Sequence, residues 1–189
     1  MKTILVFSGS QRKESHNQRL AAYLADLMSD SFQIDMLHPS DIEFPLFNQD
    51  LEKNIDLIEK IAAIHARFMR ADGFLMVCPE YNGSVTPFLK NTVDWISRLP
   101  RISPERFINP LQEKPLLLAS ATAGGSGGIL GLQSARQIFT YLGCLILAEQ
   151  ICMPFAQKAW SDDGRPKDDY INNYIEHAMA RFGAVNYGN

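Results

Sequence analysis

This chain of 189 residues lacks a long apolar run, a basic cluster and a cysteine framework, and each lack removes a class of function. No stretch reaches the roughly 18 apolar residues that a bilayer-spanning helix needs. Basic residues number 18 against 21 acidic ones, for a formal net charge of -3. Nucleic acids and anionic membranes want clustered basic charge, so neither is an expected partner. Cys78, Cys144 and Cys152 form no C-x-x-C pair and sit in or beside apolar segments. Free cysteine there behaves as a small hydrophobe, which suits a reducing cytoplasm, the expected location. The four histidines (16, 38, 65 and 177) show no metal-ligand spacing, so no metal site is expected. The opening "MKTILVFSGS" has a short apolar run that polar residues end at once, so it reads as a first strand and not a secretory leader. No repeat or low-complexity tract appears, and residues 1–189 read as one domain.

What is present is an alternation of two periods. Continuous apolar runs at 3–7, 73–78, 115–121 and 144–151 read as strands covered on both faces. Residues 32–37 alternate Phe32, Ile34 and Met36, as a strand near an edge does. Helical spacing of apolar residues runs over 15–29, 54–70, 86–99, 129–142 and 168–182. Ser15 followed by Gln18 is a capping-box signature. His65 falls on an apolar helical face and reads as a packed histidine. Five βα units predict an α/β fold: a doubly wound parallel sheet of five strands, flavodoxin-like, with order 2-1-3-4-5 and helices on both faces. Half of a dinucleotide-binding fold shares this periodicity, and only the ligand loops separate the two.

In such a sheet the loops after strands 1, 3 and 4 meet where strand order reverses. Here they read "SGSQRKESHN", "PEYNGS" and "TAGGSGGILG". The first is neither G-x-G-x-x-G nor a Walker loop. It places Ser8, Ser10, Ser15 and Asn17 around Gln11 and Arg12 at a helix start. Free N–H groups, hydroxyls and one guanidinium suit a terminal monophosphate better than a diphosphate. In the second loop Pro79 fixes the strand exit and Asn82-Gly83 makes a turn, exposing backbone groups beside Glu80 and Tyr81. Such groups match the alternating donors and acceptors of an isoalloxazine edge. The third holds five glycines, among them Gly124 and Gly125 after Thr122, which let a flat ligand approach the backbone.

These residues resemble the NADPH-dependent FMN reductase family, with its quinone, chromate and azo-dye reductases. Gly9, Ser10, Arg12, Ser15 and Asn17 match the family's G-S-x-R-x-x-S-x-N motif. "PEYNGSVTPFLKNTVDWISR" matches its P-E-Y-N-x-S…L-K-N…D-W…S-R motif. The resemblance implies that residues 10–17 hold FMN phosphate, that residues 79–83 border the flavin, and that Ser120 faces the cofactor. It implies ping-pong transfer from NADPH or NADH through FMN to a small-molecule electron acceptor: a quinone, free flavin, azo compound or metal oxyanion. No side chain need act as a catalytic acid, base or nucleophile. It further implies a homodimer or homotetramer. The helix carrying Trp95 and Ile96 is the candidate contact, and Arg98, Arg101 and Arg106 are candidates for a 2′-phosphate. Ala135-Arg136-Gln137 departs from the family's Leu-Arg-Gln, and Pro100, Pro104, Phe107 and Pro110 mark a departure over 97–114 that leaves the shape of the outer pocket wall, and hence the substrate, open. The competing readings are a flavodoxin-like FMN electron carrier and a non-enzymatic FMN-binding protein.

Overall fold

Strands that are apolar at every position can be buried only between two layers, and the chain supplies both. The computed structural model describes residues 1–187, so Gly188 and Asn189, the end of the expected domain, lie outside the described residues. The strands are β1 (Thr3–Ser8), β2 (Gln33–Leu37), β3 (Gly73–Val77), β4 (Pro115–Ala121) and β5 (Leu145–Met153). All neighbours are parallel and the order is β2-β1-β3-β4-β5, as expected. The helices are α1 (His16–Asp26), α2 (Ile55–Arg70), α3 (Pro87–Ile102), α4 (Ile129–Tyr141) and α5 (Asp169–Gly183).

Successive strand side chains point to opposite faces, and each face has its own core. Leu5, Phe7, Phe74, Met76, Leu116 and Leu118 pack with α2, α3 and α4. Ile4, Val6, Leu75, Val77, Leu117 and Ala119 pack with α1 and α5. Each parallel crossover returns every strand to the same end, so all the βα loops gather at one edge.

One expectation changes here. Trp95 and Ile96, read as a subunit contact, are fully buried, and the Trp95 indole donates to the Pro45 carbonyl at 2.8 Å. Their side of α3 faces the sheet. The segment 97–114 begins as helix. Helix α3 continues through Pro100 to Ile102. Arg106 then pairs with Glu59 of α2, and Asn109 donates to the Leu142 carbonyl.

His65 is the packed histidine expected, 3% exposed, with Nε2 2.9 Å from the Ile108 carbonyl and Phe107 edge-on at 5.2 Å. Burial pushes its pKa below the ordinary 6.5, the Ile108 carbonyl opposes this, and Lys114 adds to it. The folded state therefore prefers the neutral ring. Below pH 6.5 the unfolded chain takes up a proton that the folded one resists, so this contribution is complete above that pH and fades beneath it. Urea unfolding at pH 7.5 and 5.5 should show wild type losing more stability than His65→Gln. Equal losses would show that the imidazole does not titrate differently on folding.

Candidate functional site

The chain after β1 turns to β2 on one side, and the rest of the sheet grows on the other. The loops leaving β1, β3 and β4 meet at that reversal, and hydrogen bonds join each pair of them. Thr86, the N-cap of α3, donates its hydroxyl to the Gly9 carbonyl at 2.7 Å, tying loops one and two. Asn17 Nδ2 donates to the Ala121 carbonyl at 2.7 Å while its Oδ1 accepts from the Ala121 N–H at 2.9 Å, tying loops one and three. Glu80 Oε2 accepts from the N–H groups of Leu130 and Gly131 at 3.0 and 3.1 Å, tying loops two and three. The N-cap of α4 is Gly128, which has no side chain to cap with, so a carboxylate from the neighbouring loop meets the positive end of that helix.

Loop one is a cradle of donors. Ser15 is the N-cap of α1, and its Oγ accepts from Asn17 N and Gln18 N. Only this half of the expected capping box forms. Gln18 Nε2 instead donates to the Ser10 and Arg12 carbonyls at 2.8 and 3.1 Å, because the loop folds back over the helix start. The carbonyls are thereby held, while the N–H groups of residues 10–14 make no hydrogen bond among the described residues. Arg12 is exposed, without an ion-pair partner among the described residues. The His16 pKa is lowered by burial first, then by Arg12 and Arg19, which marks the helix start as cationic.

Loop two turns as expected. Tyr81 and Ser84 exchange backbone hydrogen bonds at 2.9 and 3.0 Å around Asn82 (φ 52°) and Gly83 (φ 73°). Positive φ at both central residues is the type I′ turn that Asn-Gly favours. Pro79 is buried beneath it, and the Tyr81 ring is more than half exposed. Burial pushes the Cys78 thiol up to about 11 against opposition from Thr86, so it stays protonated.

In loop three the glycines that the fold requires are Gly127 (φ 62°) and Gly128 (φ 88°), beyond the pair named from sequence. A Cβ on Gly127 would stand 2.9 Å from Cys152 Cβ, and one on Gly128 would stand 2.0 Å from Ser120 Oγ. Gly124 and Gly125 are exposed, and a Cβ on Gly124 would meet nothing within 4 Å. Thr122 Oγ1 donates to the Gly124 carbonyl at 3.2 Å. Ser120 is wholly enclosed under Gly128, so it floors the loop and does not front open space. Its hydroxyl and that of Ser8 have no partner among the described residues.

The residues named from sequence for the cofactor gather at one end of the sheet. Gln11, Arg12, Tyr81, Asn82, Gly124 and Gly125 are exposed, Glu80, Gly83 and Thr122 are half-buried, and Ser10, Ser15, Asn17, Pro79 and Ser120 are buried. Gln18 was named from sequence only as a capping partner, and Thr86 was not named. Thr86-Pro87 is a helix-start signal, but its bond to Gly9 spans 77 residues. The arginines named for a 2′-phosphate lie on the second half of α3 and beyond. Arg98 pairs with Glu52 and Arg106 with Glu59, while Arg101 lines a groove of about 690 Å³ between α3 and α4. Arg136 is held by Gln150 and the Leu147 carbonyl. No cluster of His, Cys, Asp or Glu suited to a metal occurs among the described residues.

Asn17→Ala removes two hydrogen bonds and strands a buried N–H and C=O, which should lower stability by about 2–3 kcal/mol. The urea midpoint should fall with its slope unchanged. A loss below about 0.5 kcal/mol would mean that water replaces the amide without penalty.

The family model described as NADPH-dependent FMN reductase matches residues 2–158. The chain is 40% identical to 2-hydroxy-1,4-benzoquinone reductase of Burkholderia sp. over 187 residues, covering 96% of this chain and 94% of that protein. It is 33% identical to a quinone reductase of Escherichia coli K12 over 144 residues, covering 76% and 72%. Its fold superposes on the flavoenzyme NAD(P)H:(acceptor) oxidoreductase FerB of Paracoccus denitrificans with a TM-score of 0.79 at 25% identity, covering 97% and 96%.

Proposed function

The chain belongs to the NADPH-dependent FMN reductase family, and we propose that it reduces quinones, and other small flat acceptors, with electrons from NADPH or NADH. The observation that carries this reading is the free N–H cradle of residues 10–14, locked beside two loops of exposed backbone. The fit to FMN is tested by those unpaired donors: a dianionic phosphate at a helix start with Arg12 beside it satisfies them. When bound, FMN supplies the redox chemistry, accepting hydride from the nicotinamide and returning electrons to the acceptor in alternation.

The chain's own residues bind and orient. Residues 10–14, with Ser10, Gln11 and Arg12, hold the phosphate. Ser15 and Asn17 act beneath it, the first capping α1 and the second clamping loop one to Ala121. The backbone of Pro79 to Gly83 meets the ring edge, and Glu80 fixes that turn against α4 instead of touching the ring by its carboxylate. Thr122, Gly124 and Gly125 form the facing wall above Ser120. Free flavin, azo compounds and metal oxyanions fall within the same acceptor class, because stacking discriminates weakly.

A cleft with so few walls is completed by a second copy, giving a homodimer or homotetramer. The α3–α4 groove, lined by Phe47, Val93, Ile138 and the exposed Tyr141, is the surface we assign to that contact. The unpaired cysteines suit a cytoplasmic setting.

FMN-loaded protein should consume NADPH when a benzoquinone is added. Bound flavin with no NADPH consumption would favour an electron carrier or a non-enzymatic binder. FMN should bind more tightly than FAD. Arg12→Ala should weaken FMN binding by about 1.5–3 kcal/mol, the scale of a hydrogen bond to a charged group. An unchanged dissociation constant in a fluorescence titration would place Arg12 outside the phosphate site.

A further inference from the structure

We propose that Phe155 and the bare backbone of residues 123–126 form a ledge on which the adenine of the nicotinamide donor stacks. The proposal rests on the reductase reading above and adds to it the place where the far end of the donor docks.

Phe155 follows β5 by two residues and has φ 48°, a left-handed backbone that a bulky side chain adopts only under strain. The strain is not offset by burial, since the residue is 57% exposed. The backbone around it is nevertheless tightly held. Phe155 N donates to the Gly124 carbonyl at 3.1 Å, Ala156 N donates to the Thr122 carbonyl at 2.9 Å, and Lys158 N donates to the Phe155 carbonyl at 2.8 Å. These bonds stand the ring against loop three. A Cβ on Gly125 would lie 3.1 Å from Phe155 Cζ, so a side chain there would push the ring back by a few tenths of an ångström. Beside it Ala123, Gly124, Gly125 and Ser126 are all exposed and carry almost no side chain. An exposed aromatic face next to open backbone matches a heteroaromatic base, which stacks by its face and hydrogen-bonds by its edge.

Position selects the base. The Asn17–Ala121 pair sets the phosphate cradle against the end of β4, and the ledge lies on the other side of loop three, where it meets the chain leaving β5. An acceptor need only overlap the flavin. A dinucleotide with its nicotinamide there carries a second base on a diphosphate tether, and that base must rest at a distance.

The test compares NADPH with reduced nicotinamide mononucleotide, which donates the same hydride but lacks adenine. In FMN-loaded Phe155→Gly, kcat/KM for NADPH should fall roughly tenfold through KM, the scale of one base–aromatic stack. The mononucleotide should be unaffected, and Phe155→Trp should keep the wild-type preference. Calorimetry should show NADP+ binding weakened by the same factor with FMN affinity unchanged. Glycine adopts this φ freely, so Tm should be unchanged or higher, which excludes misfolding as the cause. An unchanged NADPH-to-mononucleotide ratio overturns the proposal. So does a loss confined to the acceptor KM, or a change in subunit association on sedimentation, which would assign the ring to an interface. A wild-type protein that neither oxidises NADPH nor binds NADP+ removes the reductase reading as well.

Discussion

The reciprocal pair between the Asn17 side chain and the Ala121 backbone is the constraint on which the rest of the site depends. Ala121 is the last residue of β4, and Asn17 is the second residue of α1. One buried amide therefore presents a donor and an acceptor to a backbone that has the same two groups to satisfy. Away from water, neither group has another partner, so the geometry is strongly held. It fixes where α1 starts relative to the sheet, and with it the direction in which the N–H groups of loop one point. Thr86 and Glu80 extend the same logic to loop two, making three flexible connections into one rigid surface.

That rigidity explains why the site has so little chemistry of its own. The groups able to react have been used to build it or kept inert. Glu80 is committed to α4, and Arg136 to β5. Burial raises Cys78 to about 11 and also raises Cys152 beside loop three, which disfavours a thiolate at either. Exposed on these loops are backbone, glycine, the Tyr81 and Phe155 rings, and the polar and charged side chains of Gln11, Arg12, Lys13, Glu14 and Asn82. Such a surface orients a cofactor and flat reactants well, and selects weakly among the reactants.

Positive φ is not confined to one end of the sheet, since Glu113 and Gly143 adopt it before β4 and β5. At the end that carries the three loops Asn82, Gly83, Gly127 and Gly128 take it, and Phe155 does so without being glycine or asparagine. At four of these five positions the residue type suits the conformation. Phe155 is the exception, and its ring is exposed.

The strands, the helices and the three loops were legible in the sequence because each is specified by neighbours. Continuous apolar runs, helical spacing and the Asn82-Gly83 turn act over a few residues, and the crossover rule then brings the loops together. The roles of individual side chains were less legible. The sequence singled out Asn17 and Glu80 as cofactor neighbours but did not show that Asn17 also clamps Ala121 or that Glu80 also caps α4. Trp95 looked like a contact surface and is core, and Arg98 looked free and is paired. Each of these depends on a partner far along the chain, 104 residues away for Asn17 and about 50 for Glu80, Trp95 and Arg98. Local pattern decides which element a residue joins. Only the packed sheet decides which distant donor or acceptor stands opposite it, because burial leaves that group one partner and topology chooses which.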